Sequence, residues 1–268
     1  MINIQLYNVV TMIYLLTVMF YLVNLFFRSE ALGKISTGAA CLGLGVHTIA
    51  FFCRWVESYQ LDVGHIPIRG LYEGLIFLAG SSVLVYLIIE FKIKTRAFAL
   101  LVFPMVSLLM VYASLGSNVE SRLVPLPAVL RGNYITSHML TWFLCYTFLF
   151  ISFAASILIV LKVSPLDMLD DVNYKTVAVG FIMLSIGLVT GMFRTKIIWG
   201  SYWNWDPIQT WSLITWLIYA LIIHGRLVWG WEGAKTALLS IIGFIIAVYT
   251  FLVGAHFISS SGHFAITS

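Results

Sequence analysis

Tryptophan is concentrated in one short segment of this chain. Residues 199–207 read Trp-Gly-Ser-Tyr-Trp-Asn-Trp-Asp-Pro, and seven of the nine tryptophans fall between positions 199 and 231. An indole ring needs a partner surface for its large flat face and an acceptor for its N–H. The segment therefore predicts a platform for a flat apolar ligand with a polar rim, which is the form of a porphyrin. The platform residues are Trp199, Gly200, Tyr202, Trp203, Trp205 and Asp206.

Two structural interpretations of the same segment stay open. The tryptophans are also typical of the aromatic belt that membrane proteins place at the water interface. Asp206 and Pro207 are typical of a helix start, with Asp206 as the N-cap and Pro207 at the first helical position. Gln209 stands three residues after Asp206, as in a capping box.

Histidines are the second group of residues that could do chemistry. A polar ring in or near a membrane span is costly unless it is paired or bound to a metal. His138 opens the fifth apolar run and His263 follows the eighth, so two imidazoles could take the two axial positions of a haem iron. His256 is an alternative to His263. His224, deep in the seventh run, and His47, within the second, complete the candidates, and a hydrogen-bonded structural role is the alternative for each.

Cations near the tryptophans suggest contacts to carboxylates, because a haem carries two propionates and arginine grips a carboxylate through two N–H groups. The candidates are Arg194, Lys196, Arg122 and Arg131. Ordinary solvation of a loop is the alternative explanation for each. At the start of the third apolar run, Glu73 is a carboxylate at the membrane edge that needs a partner, and Arg54 and Arg69 lie near it in sequence.

Composition places the chain in a membrane. Of its 268 residues, 61% are hydrophobic and 10% are charged, and the mean hydropathy is +0.98. A soluble domain carries about 25% charged residues. A net charge of +4 gives no reason to expect nucleic acid as a partner. The three cysteines form no CxxC pair, so neither a thioredoxin-like redox pair nor a covalent haem attachment site is expected.

The apolar runs predict an all-α polytopic membrane protein with about eight transmembrane helices, since one span needs about 20 apolar residues. The runs cover residues 4–27, 36–56, 71–90, 97–115, 134–161, 174–193, 208–229 and 235–257. Lys and Arg favour one set of loops by nine to six, which predicts that the N- and C-termini and the tryptophan segment lie outside. We expect a single domain over residues 1–268, with the first run retained as a span.

The tryptophan segment and its continuation resemble a known family. Residues 199–207, followed by Thr-Trp-Ser-Leu-Ile-Thr-Trp at 210–216, resemble the "WWD" signature of the CcsA/ResC family of system II cytochrome c biogenesis. Pro67 before Leu71-Tyr72-Glu73, and Gly262-His263-Phe264 near the C-terminus, are similar to further parts of the family pattern. The resemblance covers essentially the whole chain.

The resemblance implies an eight-span protein that transports haem b as a substrate and presents it for covalent attachment to an apocytochrome c carrying a reduced CxxCH. It implies a CcsB/ResB-type membrane partner, with which the chain would form a holocytochrome c synthase, and a thioredoxin-like thiol reductant. It implies His224 as a ligand within the membrane, and His138 and His263 as the outer ligands. The location implied is the bacterial inner (cytoplasmic) membrane or the thylakoid membrane.

Two positions depart from the family pattern. Gln209 stands where the family usually has Glu, and His256 stands where Asn is expected, which leaves the outer ligand open between His256 and His263. Other functions also stay open: a membrane b-type dihaem protein that transfers electrons, and a regulatory haem-binding homologue without ligase activity. A secondary transporter would favour internal repeats, and the sequence shows none.

Overall fold

The fold is built from eight helices among the residues that the structure, a computed structural model, describes. These residues are 2–117, 119–123, 133–163 and 165–264, with side chains described except at 133–134 and 254–264. Seven of these helices are long and apolar enough to cross a membrane. The remaining one, Ala99–Leu115, is also apolar but only 17 residues long. The chain is an integral membrane protein, and the predicted all-α polytopic class is confirmed.

The helices fall into two compact units, each of four helices. The first unit, Met1–Pro125, contains α1 (Ile2–Phe27), α2 (Glu30–Gln60), α3 (Leu71–Ile93) and α4 (Ala99–Leu115). The second unit, Leu126–Ser268, contains α5 (Asn133–Val160), α6 (Leu166–Trp199), α7 (Pro207–Trp229) and α8 (Ala234–Phe264).

In the first unit, α1 packs against α2 and α4, and α3 packs against α4 and α2. The buried face of α1 carries Tyr7, Tyr14 and Tyr21, two turns apart from one another, while Met12 and Met19 on other faces are exposed. Close packing of α1 on α2 needs a small residue, since a Cβ at Gly43 would lie 2.6 Å from the Tyr14 ring.

A buried ion pair joins α2 to α3 in the first unit. Arg54 is 2% exposed, and its Nε donates to Glu73 Oε1 over 3.1 Å. Its Nη1 donates to the Asn3 side chain at 3.2 Å and to the Ser121 carbonyl at 2.9 Å. The other Glu73 oxygen accepts from the backbone N–H of Arg69 at 3.0 Å, just ahead of α3. The predicted partner of Glu73 is therefore present.

In the second unit, α5 packs against α6 and α8, and α7 packs against α8 and α6. Gly200 ends α6 with φ +76°, a left-handed conformation that glycine adopts without steric cost. Asp206 begins α7 as predicted, with its side chain accepting from the N–H of Gln209 at 2.9 Å. At the other end of α7, Arg226 pairs with Asp170 of α6. These contacts fix both ends of the α6–α7 pair.

The apolar runs locate all eight helices, but the helices α2 and α6 begin earlier than predicted. The added residues include Glu30 and Lys34 in α2, and Asp171 in α6. Glu30 pairs with Lys34, and Asp171 pairs with Lys175, one turn apart on exposed helix surfaces. Hydropathy marks only the apolar part of a helix, whereas its backbone hydrogen bonds continue through such polar turns.

Arg54→Leu is expected to destabilise the protein by about 3–5 kcal/mol, because it leaves the buried Glu73 carboxylate without its charged partner. The midpoint of thermal unfolding in detergent, followed by circular dichroism, measures this loss. Lys175→Ala is the control: its pair with Asp171 is exposed, at 70% and 54% of the two side chains. Removing that exposed pair should cost less than about 1 kcal/mol. Equal losses in the two variants would contradict the assignment.

Candidate functional site

A cavity of about 910 Å³ opens in the second unit where α6 ends and α7 begins. Ligand-binding pockets usually have volumes of about 300–1,000 Å³ and apolar walls with a few polar groups. Side chains from α5, α6, α7 and α8 and from residues 199–206 line this cavity. Its polar residues include His138, Arg194, Asn204, Asp206 and Gln209. The cavity is the candidate site, and its walls come from four helices of one unit.

Three of the six predicted platform residues line the cavity, and three do not. Trp199, Trp203 and Asp206 line the cavity. The other three predicted platform residues do not line the cavity as the structure describes it: Gly200, Tyr202 and Trp205. Tyr202 packs edge-on against Phe193 and lies under the Lys196 ammonium, and Trp205 packs edge-on against Trp203, with ring centres 5.4 Å apart. The three lining residues can contact a ligand in the cavity. Tyr202 and Trp205 instead pack against neighbouring aromatic side chains.

The tryptophan segment (residues 199–207) is fixed by hydrogen bonds from both helices. Gln209 of α7 donates through Nε2 to Thr195 Oγ1 of α6 at 2.8 Å, and its Oε1 accepts from the N–H of Asn204 at 2.8 Å. The capping box predicted for Gln209 is therefore modified, because its side chain accepts from Asn204 and not from Asp206. Trp205 has φ +55°, which is rare for a bulky residue. Strained backbone of this kind occurs most often at functional sites.

One buried donor of the cavity wall lacks an acceptor. The indole N–H of Trp203 is buried and makes no hydrogen bond to the part of the chain that the structure describes. Leaving such a group unpaired costs about 1–3 kcal/mol. Trp203 lines the cavity, but this nitrogen is closed off from solvent there.

His138 is held tightly at the α5–α6 contact. Its Nδ1 lies 3.0 Å from Thr190 Oγ1, and its ring packs edge-on against Trp142 with centres 6.3 Å apart. The backbone of α6 comes close because two glycines face α5: a Cβ at Gly191 would lie 3.1 Å from His138 Cε1, and one at Gly187 would lie 3.2 Å from Trp142 Nε1. A hydrogen bond at Nδ1 leaves Nε2 as the nitrogen for a metal or other ligand.

The other predicted histidines lie in different surroundings. His256 and His263 both fall within α8, two turns apart, and their side chains lie outside the described residues. The same helix borders the cavity at Leu252 and Val253. His224 is exposed on α7 and packs edge-on against Trp229, with ring centres 4.8 Å apart.

His47 belongs to the first unit. It is buried there, and its Nδ1 lies 3.2 Å from the Tyr14 hydroxyl. A Cβ at Gly80 would lie 2.8 Å from its Nε2. The ring is therefore enclosed by α1 and α3, and this packing supplies the structural role that stayed open for His47.

The predicted cations are each described by their own surroundings. Arg194 lines the cavity. Lys196 donates to the Gly200 carbonyl at 2.6 Å, so it supports the end of α6. Arg122 is exposed in the first unit, where its backbone N–H donates to Glu120. Arg131 lies outside the described residues. In the cavity, Arg194 is therefore the cation best placed to meet an anionic ligand.

Sequence reasoning missed Trp142, Thr190 and the two glycines. A signal was present: His138 and Trp142 are four residues apart, as are Gly187 and Gly191. Residues four apart lie on one helix face, so the two pairs could be matched across an antiparallel helical hairpin.

Comparison with known proteins identifies the family of the chain. The profile of the cytochrome C assembly protein family matches residues 68–258. The cytochrome c biogenesis protein CcsA of Chlamydomonas reinhardtii is 33% identical over 93% of this chain and 72% of its own length. CcsA of Pyropia yezoensis is 27% identical over 93% of this chain and 92% of its own length. CcsA of Parasynechococcus marenigrum (strain WH8102) is 30% identical over 74% of this chain and 76% of its own length. The chain therefore belongs to the cytochrome c assembly protein family. Its place among the CcsA proteins confirms the resemblance, and its process is cytochrome c biogenesis.

A solved structure shares the fold. The cytochrome c haem lyase CcmF superposes with a TM-score of 0.71 at 15% sequence identity, over 96% of this chain. The chain spans 50% of the length of CcmF. At this identity the similarity shows the arrangement of helices.

Gln209→Ala is expected to loosen the tryptophan segment, because it removes both side-chain hydrogen bonds that tie the segment to α6 and α7. Amide hydrogen exchange of residues 200–206, followed by mass spectrometry in detergent, should become at least several-fold faster. Gln209→Glu is the matched variant: its carboxylate still accepts from Asn204, can accept from the Thr195 hydroxyl in place of the lost Nε2 donor, and suits the first turn of a helix. Exchange should stay near the wild-type rate in that variant. Unchanged exchange in Gln209→Ala would show that the segment is held by other contacts.

Proposed function

We propose that this chain presents haem b, as a transported substrate, for covalent attachment to an apocytochrome c. The observation that carries the proposal is the cavity of the second unit, where a fixed imidazole and an arginine lie among apolar and aromatic walls. In this role the chain is a subunit of a system II holocytochrome c synthase.

The residues of the cavity fit a haem. Trp142, Trp199 and Trp203 supply flat apolar surface for the macrocycle. The guanidinium of Arg194 suits the propionate oxygens at the edge of the ring. Nε2 of His138 suits the iron. The fit therefore rests on groups that match a flat apolar body, an acidic rim and a metal centre.

The second axial ligand is assigned to α8. That helix borders the cavity at Leu252 and Val253 and continues through His256 to His263. We take His263 as the ligand, with His256 as the alternative. Bis-histidine ligation would hold the iron until the histidine of the incoming CxxCH replaces one of the two.

The reaction proposed is addition of two thiols to two vinyl groups. In each addition the sulfur forms a bond to one vinyl carbon, the double bond becomes single, and the thiol proton goes to the other vinyl carbon. Nothing is oxidised or reduced in this step, so the cysteines must arrive as thiols, which a thioredoxin-like reductant would ensure. The protein contributes by holding the vinyl edge against the thiols.

The topology proposed puts the tryptophan segment and both termini outside, with haem arriving from within the membrane. The exposed His224 of α7 would hold haem at that earlier stage, together with a histidine of a CcsB/ResB-type partner. The two units would act together as one haem-handling domain. The setting would be a bacterial inner membrane or a thylakoid membrane.

Replacing His138 by Gly should abolish the bis-histidine absorption bands of haem that copurifies with the chain and its partner, because the ring that holds the iron is lost. His263→Gly should do the same, and His256→Gly should leave the bands in place. The optical spectrum of the reduced complex gives the measurement, and added imidazole should restore the bands in His138→Gly. Unchanged spectra in both His138→Gly and His263→Gly would overturn the proposal.

A further inference from the structure

Thr190 of α6 contacts His138, the candidate ligand of the haem iron. Its Oγ1 lies 3.0 Å from His138 Nδ1. The same hydroxyl lies 2.9 Å from the Ile186 carbonyl and 3.1 Å from the Gly187 carbonyl of its own helix. A threonine hydroxyl has one proton to donate and two lone pairs that accept. Since the two carbonyls of α6 can only accept, the hydroxyl proton goes to them.

This assignment fixes the state of the imidazole. With its proton directed to α6, Thr190 presents a lone pair to His138, so Nδ1 must carry the ring proton and donate it. A neutral imidazole then has its free lone pair at Nε2. The tautomer that can bind a metal through Nε2 is thus selected by a neighbour on another helix.

The position of the ring is restricted as well. The backbone of α6 at Gly191 lies against Cε1, and Trp142 packs edge-on one turn along α5. These two contacts and the hydrogen bond at Nδ1 touch different atoms of the ring, so together they restrict its rotation. The backbone carbonyl of Gly187 is a second polar contact of the ring, and it favours the same tautomer because a carbonyl can only accept. The hydroxyl of Thr190 is the polar side-chain group among these contacts, and it can be removed at almost constant volume.

We propose that Thr190 is a positioning residue that holds His138 in the Nδ1–H tautomer and strengthens Nε2 as a ligand. The inference rests on the proposed function, because it assumes that His138 binds the haem iron. Hydrogen bonds to the far nitrogen of a ligating histidine fix its orientation and raise its basicity, and their removal typically costs about 10–100-fold in metal affinity. A weaker ligand also stabilises ferric iron less, which raises the reduction potential.

The test compares Thr190→Val with Thr190→Ser in the complex purified with its partner and its haem. Thr190→Val keeps the shape and removes the hydroxyl, whereas Thr190→Ser keeps the acceptor. Thr176→Val is the matched control, because Thr176 makes the same bonds within α6, to the carbonyls of Val172 at 2.7 Å and Asn173 at 3.1 Å. The readouts are the imidazole concentration that displaces half of the native ligand from haem, followed optically, and the midpoint potential of the haem.

In Thr190→Val, the imidazole concentration that displaces half of the native ligand should fall by about tenfold or more. The midpoint potential of the haem should rise. Thr190→Ser and Thr176→Val should match the wild type. His138→Gly is measured in parallel. If it loses the bis-histidine bands while Thr190→Val behaves like Thr176→Val, the role of Thr190 is wrong and the proposed function stands. If His138→Gly keeps the wild-type bands, both fall. Should Thr190→Val fail to fold, Thr190→Ala removes the same hydroxyl and is judged by the same readouts.

Discussion

The approach of α5 to α6 is the constraint on which the site depends. Three glycines of α6 face α5: Cβ atoms at Gly180, Gly187 and Gly191 would lie 2.6, 3.2 and 3.1 Å from α5 side chains. Such contacts are closer than ordinary packing allows, so the backbones meet only because these positions lack side chains. This proximity places the Thr190 hydroxyl within hydrogen-bonding distance of His138. A wider gap between the helices would leave the imidazole free to turn.

The positions of the helices could be predicted, because lipid imposes them. A backbone in hydrocarbon must satisfy its own hydrogen bonds, so each apolar run becomes a helix. The start of α7 at Asp206 was also predictable, since N-cap chemistry is local. The early starts of α2 and α6 were not, because their first turns are polar and are stabilised by pairs such as Glu30–Lys34 on an exposed surface.

The site could be predicted where its residues carry a chemical signal of their own. His138 and the tryptophan segment stood out because imidazole and indole are costly in a membrane, but a threonine or a glycine has no such signal in one sequence. Their importance comes from the register of the α5–α6 hairpin, in which Trp142 faces Gly187 and His138 faces Gly191. The two pairs are centred on the same point of the chain, as antiparallel pairing requires, so one pair predicts the other once that pairing is assumed. The side-chain roles of Gln209 needed the structure, because Thr195 lies 14 positions away in the chain.

The cavity wall carries one of the five buried polar side-chain atoms that lack a partner in the described part of the chain. Other buried polar atoms without partners, such as the Tyr7 and Ser107 hydroxyls, are not on the cavity wall, whereas Trp203 lines it beside the imidazole of His138 and the guanidinium of Arg194. Next to Trp203, Trp205 holds a left-handed backbone, a conformation that costs about 1–3 kcal/mol in a bulky residue. The caps at Gly200 and Asp206 maintain this arrangement from the two flanking helices. Under the proposed function, the segment is already folded before haem arrives, so binding energy is not needed to order it.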